Sequence, residues 1–287
     1  MKRSWSRMMG ALVAAGVMAP AVAGCGRGNA QAGEAAVVAA APAVVTYTAR
    51  DFSFEGPAEI TAGHTEFRLV NAGQALHHLQ IVKLEEGKTM QDFVAAMQAG
   101  GPPPEWMVEV GGPNAPDPGG QANATVLMEA GNYLVLCFVD VPDHVPHVAK
   151  GMIKELKVTG AAPAGDAMPA ADVVMALNDY SFTLSKPLAA GRQVIRVENG
   201  ARQPHEVEII KLAPGKTLDD LMGWMQNMQG PPPASAIGGV AALVPGVVNN
   251  FSVDLTPGEY VLICFIPDAG DQRPHFMHGM VQTITVS

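Results

Sequence analysis

The chain carries the same set of thiol, thioether and imidazole side chains twice. Read from Tyr133 it runs YLVLCFVDVPDHVPHVAKGM, and from Tyr260 it runs YVLICFIPDAGDQRPHFMHGM. In each stretch an apolar strand ends in Cys and is followed by Pro-His-x-x-x-Gly-Met. Cys137, His147 and Met152 therefore correspond to Cys264, His275 and Met280. An upstream histidine completes each set: His77 in NAGQALHHLQIVKL and His205 in NGARQPHEVEIIKL, which align through Asn71/Asn199 and Lys83/Lys211. A trigonal site of two His and one Cys with a weak axial Met is a copper arrangement. Zinc would accept Cys and His, but it fills a tetrahedron with strong ligands and has little use for a thioether. The repeated Met therefore favours copper, one ion per repeat.

The segments Gly131-Asn132-Tyr133…Cys137…Pro146-His147…Gly151-Met152, followed by IKELKV, resemble the ending of plastocyanin-type cupredoxins. PGEY…Cys264…Pro274-His275…Gly279-Met280 resembles it equally. The H-x-x-x-G-M spacing and the Asn-bearing turn before His77 and His205 are similar to the same family, and the resemblance covers both halves from about residue 44 onward. It implies two type 1 blue-copper sites and a role in electron transfer or copper holding. The chain departs from the family pattern in two places. The Cys-to-His loops, residues 138–146 and 265–274, are longer, so each must bulge outward before returning to the metal. Where the family tends to place Asn after the first His, tying the ligand loops together, this chain has His78 and Glu206.

The elements that must position these residues read as strands. YTARDFSFEG, HTEFRLVN, HHLQIVKL, ATVLMEA, YLVLCFV and MIKELKV are short, often alternating and punctuated by Gly, Pro and Asn, and their counterparts recur in the second half. That pattern argues for an antiparallel sandwich. With the resemblance, the expected class is all-β: two tandem cupredoxin-like Greek-key β-sandwiches, each with a short helical insertion. The insertions begin at the capping boxes Thr89-x-x-Asp92 and Thr217-x-x-Asp220, followed by apolar residues at helical spacing. Pro102-Pro103-Pro104 and Pro231-Pro232-Pro233 close them. Such a helix buries a sheet face or edge without needing a partner, although a lid or docking surface is the functional alternative. Met222, Met225 and Met228 at helical spacing are read as core filling rather than as a metal site.

The N-terminus combines basic Lys2, Arg3 and Arg7 with the apolar stretch MMGALVAAGVMAPAVAG and small residues before Cys25, similar to a bacterial lipoprotein signal. The expected layout is a signal peptide over 1–24 and a lipid-anchored spacer over 25–43. A cupredoxin-like domain over 44–159, a linker over 160–172 and a second domain over 173–287 follow. Cys25 would carry the lipid, membrane-anchoring the chain at the periplasmic or extracellular face of the cell envelope. Cys137 and Cys264 then remain, one per repeat. A disulfide between them needs Cα atoms within roughly 7 Å, and unpaired buried thiols outside the cytoplasm are easier to understand as metal-bound.

The net charge of −9 at pH 7 argues against nucleic acid as a partner. It would suit a basic redox or copper-exchange protein, although solubility explains it as well. His144 lies inside the first Cys-to-His loop and offers an alternative to His147, but the second repeat has no His there. His278 is expected to face solvent, and His64 and His78 to sit on the surface or in strands. The chain has no His-x-His pair, and Leu136 and Ile263 precede the cysteines where catalytic-copper relays use neighbouring His. No Ser/His/Asp triad or phosphate loop is present, so the expectation is a protein that is not an enzyme. A metal-free scaffold of the cell envelope, with Cys137 and Cys264 as buried apolar residues, is the alternative to the copper reading.

Overall fold

The computed structural model describes residues 40–287 except Pro102 and Pro142. The signal-like stretch, Cys25 and most of the spacer lie outside the described residues. Among the described residues no helix is long and apolar enough to cross a membrane.

The first repeat contributes β1 (Ala43–Arg50), β2 (Ser53–Glu55), β3 (Glu59–Thr61), β4 (Gly63–Asn71), β5 (Gln80–Leu84) and helix α1 (Met90–Ala99). It continues with β6 (Met107–Gly111), β7 (Gln121–Met128), β8 (Gly131–Leu136) and, after a 3-10 turn at His147–Lys150, β9 (Ile153–Thr159). The second contributes β10 (Val173–Asn178), β11 (Ser181–Leu184), β12 (Gly191–Asn199), β13 (His205–Leu212) and helix α2 (Leu218–Met225). It ends with β14 (Ala234–Leu243), β15 (Val248–Leu255), β16 (Gly258–Ile263), a 3-10 turn at His275–His278 and β17 (Val281–Val286). The all-β class with one helical insertion per repeat is the one the sequence indicates.

Two sheets run through both repeats. One has the order β11-β10-β12-β15-β7-β4-β1-β2, the other β17-β16-β13-β14-β6-β5-β8-β9-β3. The repeats meet where β15 pairs antiparallel with β7 at Asn250↔Thr125 and β14 with β6 at Leu243↔Val110. Apart from β3, which has no counterpart in the second repeat, the strand order of one repeat mirrors that of the other about this seam in each sheet. Side chains reinforce it: Asn123 donates to Ser252 O and accepts from its N–H at 2.7 and 2.8 Å, and Asn249 bonds Gly112 N and Val110 O. Gly112 has no room for a Cβ, which would meet Leu79 O at 2.1 Å. Residues 160–172 make contacts with both repeats. Asp166 accepts from His64, and Pro169 O accepts from Asn250 of the second repeat.

Each repeat has two apolar clusters. Tyr47, Phe67, Leu69, Ile81, Val135, Cys137 and Met152 lie between the sheets of the first, and Val197, Ile209, Phe251, Leu262, Cys264 and Met280 lie in the equivalent place in the second. The outer face of the second sheet is covered by the helices: Phe93 of α1 packs on Val82, Leu134 and Leu136, and Leu221 of α2 on Ile210, Val261 and Ile263. This is why the last four residues of β8 and of β16 are buried consecutively rather than alternately. Both capping boxes form, with Thr89 and Thr217 each accepting from the N–H of the Asp three residues on. The insertion thus acts as sheet cover, with Met222 and Met225 packed against its cluster.

Candidate metal centres

The end of β8 delivers Cys137 into the core, and the chain then leaves the sheet. His147 N–H donates to Val139 O at 2.8 Å and closes the neck of the loop, as His275 N–H does to Ile266 O at 2.9 Å. The residues between bulge outward, as the loop length requires. A 3-10 turn follows, ended by Gly151 and Gly279 at φ 99° and 103°, a conformation Gly adopts without the Cβ penalty. This reversal returns Met152 to the cysteine, Cys137 N–H donating to Met152 O at 3.2 Å, with the same bond between Cys264 and Met280. Both methionine side chains are fully buried in the clusters that hold the cysteines. The upstream ligand position is set by an asparagine turn. Asn71 donates to Ala75 O and Pro116 O and accepts from Gly73 N–H, all at 2.9 to 3.0 Å, and Asn199 makes the matching bonds.

These elements bring His77, Cys137 and His147 together in one repeat and His205, Cys264 and His275 in the other, every residue fully buried. In the first, His77 Nδ1 lies 3.1 Å from His147 Nδ1, and Cys137 Sγ is 3.6 Å from His147 Nδ1. In the second, the imidazole Nδ1 atoms are 2.9 Å apart, and Cys264 Sγ lies 3.4 and 4.0 Å from His275 Nδ1 and His205 Nδ1. His144, by contrast, is exposed on the loop at φ 59° and outside the cluster.

Acceptors behind the rings decide which nitrogen carries the proton. His77 Nε2 faces Asp51 Oδ1 at 2.7 Å and His147 Nε2 faces Val141 O at 3.2 Å, so both Nε2 atoms are donors. Both Nδ1 atoms then turn bare lone pairs toward each other beside the sulfur. A cation among them relieves the contact between the two nitrogens, so the donor set fits a metal. In the second repeat Asp179 takes the role of Asp51 at 3.3 Å, while His275 Nε2 has no hydrogen-bond partner and lies 3.8 Å from Asp268 Oδ2. Burial lowers the pKa of all four ligand-position histidines, His275 to about 4, which keeps them in the neutral form that binds metal. Burial likewise raises Cys137 to about 12 and moves Cys264 upward, so each thiol stays protonated until a metal displaces the proton.

Sequence reasoning missed the residues behind the ligands, although the repeat carries them as Asp51-Phe52 and Asp179-Tyr180. Phe52 packs edge-on to His147 at 4.9 Å under the ammonium of Lys150. Tyr180 packs against His275 and His278 and donates to Asp268. His278 is thus half-covered rather than solvent-facing, with Asp271 at 3.1 Å. His64 is a half-buried strand residue paired with Asp166. The surface or strand placement of His78 is corrected. His78 is buried outside any strand, and its Nε2 accepts from Phe138 N–H at 2.9 Å. Glu206 does the same for Phe265 N–H at 2.9 Å. The loop tie survives with different side chains, an imidazole in one repeat and a carboxylate in the other.

No protein-family model and no curated protein matches the chain. Solved structures do. The fold is cupredoxin-like. Auracyanin A, a blue copper protein from Chloroflexus aurantiacus, is 21% identical, covering 42% of this chain and 100% of its own at a TM-score of 0.29. A copper nitrite reductase from Nitrosomonas europaea is 14% identical, covering 86% and 94% at 0.27, and a multicopper oxidase is 13% identical, covering 85% and 88% at 0.24. The expectation that the chain is not an enzyme is corrected: the solved structures it resembles include a copper nitrite reductase and a multicopper oxidase. Cys137 and Cys264 are both free, each in its own core, so neither forms a disulfide.

Proposed function

We propose that the chain is an extracytoplasmic copper protein of two tandem cupredoxin-like domains with one type 1-like site in each. His77, Cys137, His147 and Met152 hold one ion, and His205, Cys264, His275 and Met280 the other. The carrying observation is the pair of opposed imidazole Nδ1 atoms beside a buried thiol in each repeat, with acceptors behind both rings of the first that direct their Nδ1 lone pairs inward. Copper supplies a one-electron couple, and the soft sulfur donors suit it in both oxidation states. The chain's part is to hold the donors in a dry, packed site that changes little when an electron arrives or leaves. The reading includes a lipid on Cys25 and exchange of electrons or copper with another protein.

The test is metal analysis of the protein purified from its own compartment, together with its visible spectrum. One copper per repeat with intense thiolate-to-Cu(II) charge transfer supports the reading. Protein that stays colourless and binds no copper after reduction and reconstitution, with both thiols titrating free, replaces it with the metal-free scaffold.

A further inference from the structure

The loops of the two sites are joined by buried hydrogen bonds that cross the seam. Two residues after His77, Leu79 N–H donates to Pro113 O at 2.9 Å. The next residue, Asn114, donates from Nδ2 to Glu206 Oε2 at 3.2 Å. Glu206 directly follows His205, and its other oxygen accepts from Phe265 N–H, the residue after Cys264, at 2.9 Å. On the first-site side the chain itself joins Asn114 to Pro113 and so to Leu79, while His78 receives the N–H that follows Cys137. Asn114 Nδ2 also faces Val207 O at 3.2 Å. Asn114 therefore stands between the segment that follows His77 and the Glu206 loop tie of the other site. It is buried, and its Oδ1 is occupied by Ala115 N–H.

The link does not come from the repeat. GGPNA at residues 111–115 corresponds to GGVAA at residues 238–242, so the second half has Ala where the first has Asn114. A side chain placed once, on the path between two duplicated sites, points to a purpose the duplication did not supply. Electrons tunnel more readily along covalent and hydrogen bonds than across van der Waals gaps, and a dry, contiguous network is where two sites can couple.

We propose that Asn114 carries electron exchange between the two copper sites, making the chain a two-electron unit rather than two separate one-electron carriers. The step moves one electron from Cu(I) at one site to Cu(II) at the other, with no proton transferred and no external reactant. The inference rests on the copper reading above. It makes Asn114 a positioning residue, since it touches no ligand atom.

The experiment uses the full chain loaded with copper at both sites. Cys137→Ser and Cys264→Ser fix the spectrum and potential of each site alone. They should differ, because Phe52 and Lys150 flank one site and Tyr180 and His278 the other. A one-electron reducing pulse to the two-copper protein then shows the electron redistributing. Asn114→Leu should abolish that phase. Asn114→Ala, which gives this position the residue type that the second half has at Ala241, should slow it and covers the case where the Leu variant misfolds. Asn123→Ala, which removes two seam bonds away from the path, should leave it intact. Copper content should be the same in all. No redistribution in wild type, unchanged rates in the Asn114 variants, or equal slowing in Asn123→Ala overturns the inference and leaves the copper reading standing. A wild type that binds no copper overturns both.

Discussion

His77 is held from behind by Asp51, its Nε2–H donating to a carboxylate oxygen at 2.7 Å, whereas the equivalent contact between His205 and Asp179 is 3.3 Å. Asp51 also accepts from the N–H groups of Gln74 and Ala75, so it fixes the ring to the turn that carries it. Asp51→Asn should weaken copper at the first site by about 10- to 100-fold, the usual cost of losing such an outer partner. The second site should be unchanged. Copper titration in the Cys264→Ser background would measure the first site and in the Cys137→Ser background the second, and an unaltered affinity at the first would refute the orienting role.

Gly73 packs against that same pair. A Cβ at this position would lie 2.5 Å from Asp51 Oδ1 and 2.6 Å from His77 Nε2. The second repeat has Ala201 at the corresponding position, and there the carboxylate stands further from the ring. Gly73→Ala should lengthen the first contact toward the second and shift the absorption and potential of the first site alone. A spectrum identical to wild type would show that the spacing does not matter.

Each repeat has its own thiol, so the two sites should be removable one at a time. Cys137→Ser should abolish the first site's colour and Cys264→Ser the second's. The double substitution should leave a folded, colourless protein. His147→Ala should cost the first site, while His144→Ala, on an exposed loop position, should not. Because both thiols are protonated without metal, copper affinity at each site should rise with pH. Loss of both colours from one Cys substitution would contradict the separation of the sites.

Two buried carboxylates at the seam make a pH prediction. Burial raises Glu206 from 4.5 to about 7, and Glu208 goes well above 4.5 for the same reason, with Glu206 nearby adding to it. The folded state therefore binds more protons than the unfolded one between pH 4.5 and about 7, and their contribution to stability falls as pH rises through that window. Glu206→Gln cannot ionise. In the copper-free protein its stability relative to wild type should increase across the window and level off above it. Chemical denaturation at several pH values reads the difference, and a constant offset would show that Glu206 ionises normally.

The anchor lies in the sequence alone. Mature protein should begin at Cys25 and partition with membranes, and Cys25→Ser should release it or block processing. Unmodified wild-type protein in a soluble fraction, cleaved elsewhere, would refute this.

Repetition made the strands, the helices and the candidate ligand positions legible, because Cys, His and Met recur at spacings that local chemistry can interpret. His144 could be set aside for the same reason. Asp51 and Asp179 were duplicated too, yet an acidic residue at a strand end has no signature until the fold places it behind an imidazole. His78 was misplaced because it and Glu206 share a position but not a residue type, so the repeat hid their common role. The seam was out of reach. Asn114, Asn123 and Asn249 are ordinary turn and strand residues until the sheets of the two halves are seen to join.

That continuity means that neither half ends in a finished surface. Severed between residues 160 and 172, the first half would present β6 and β7, and the second β14 and β15, as bare sheet margins with unpaired backbone groups. Such margins recruit other strands. Because the seam is built from two versions of one motif facing each other, two identical first halves would find in one another the nearest substitute for the missing partner. The chain thus has the form of a symmetric pair whose two copies are joined through residues 160–172.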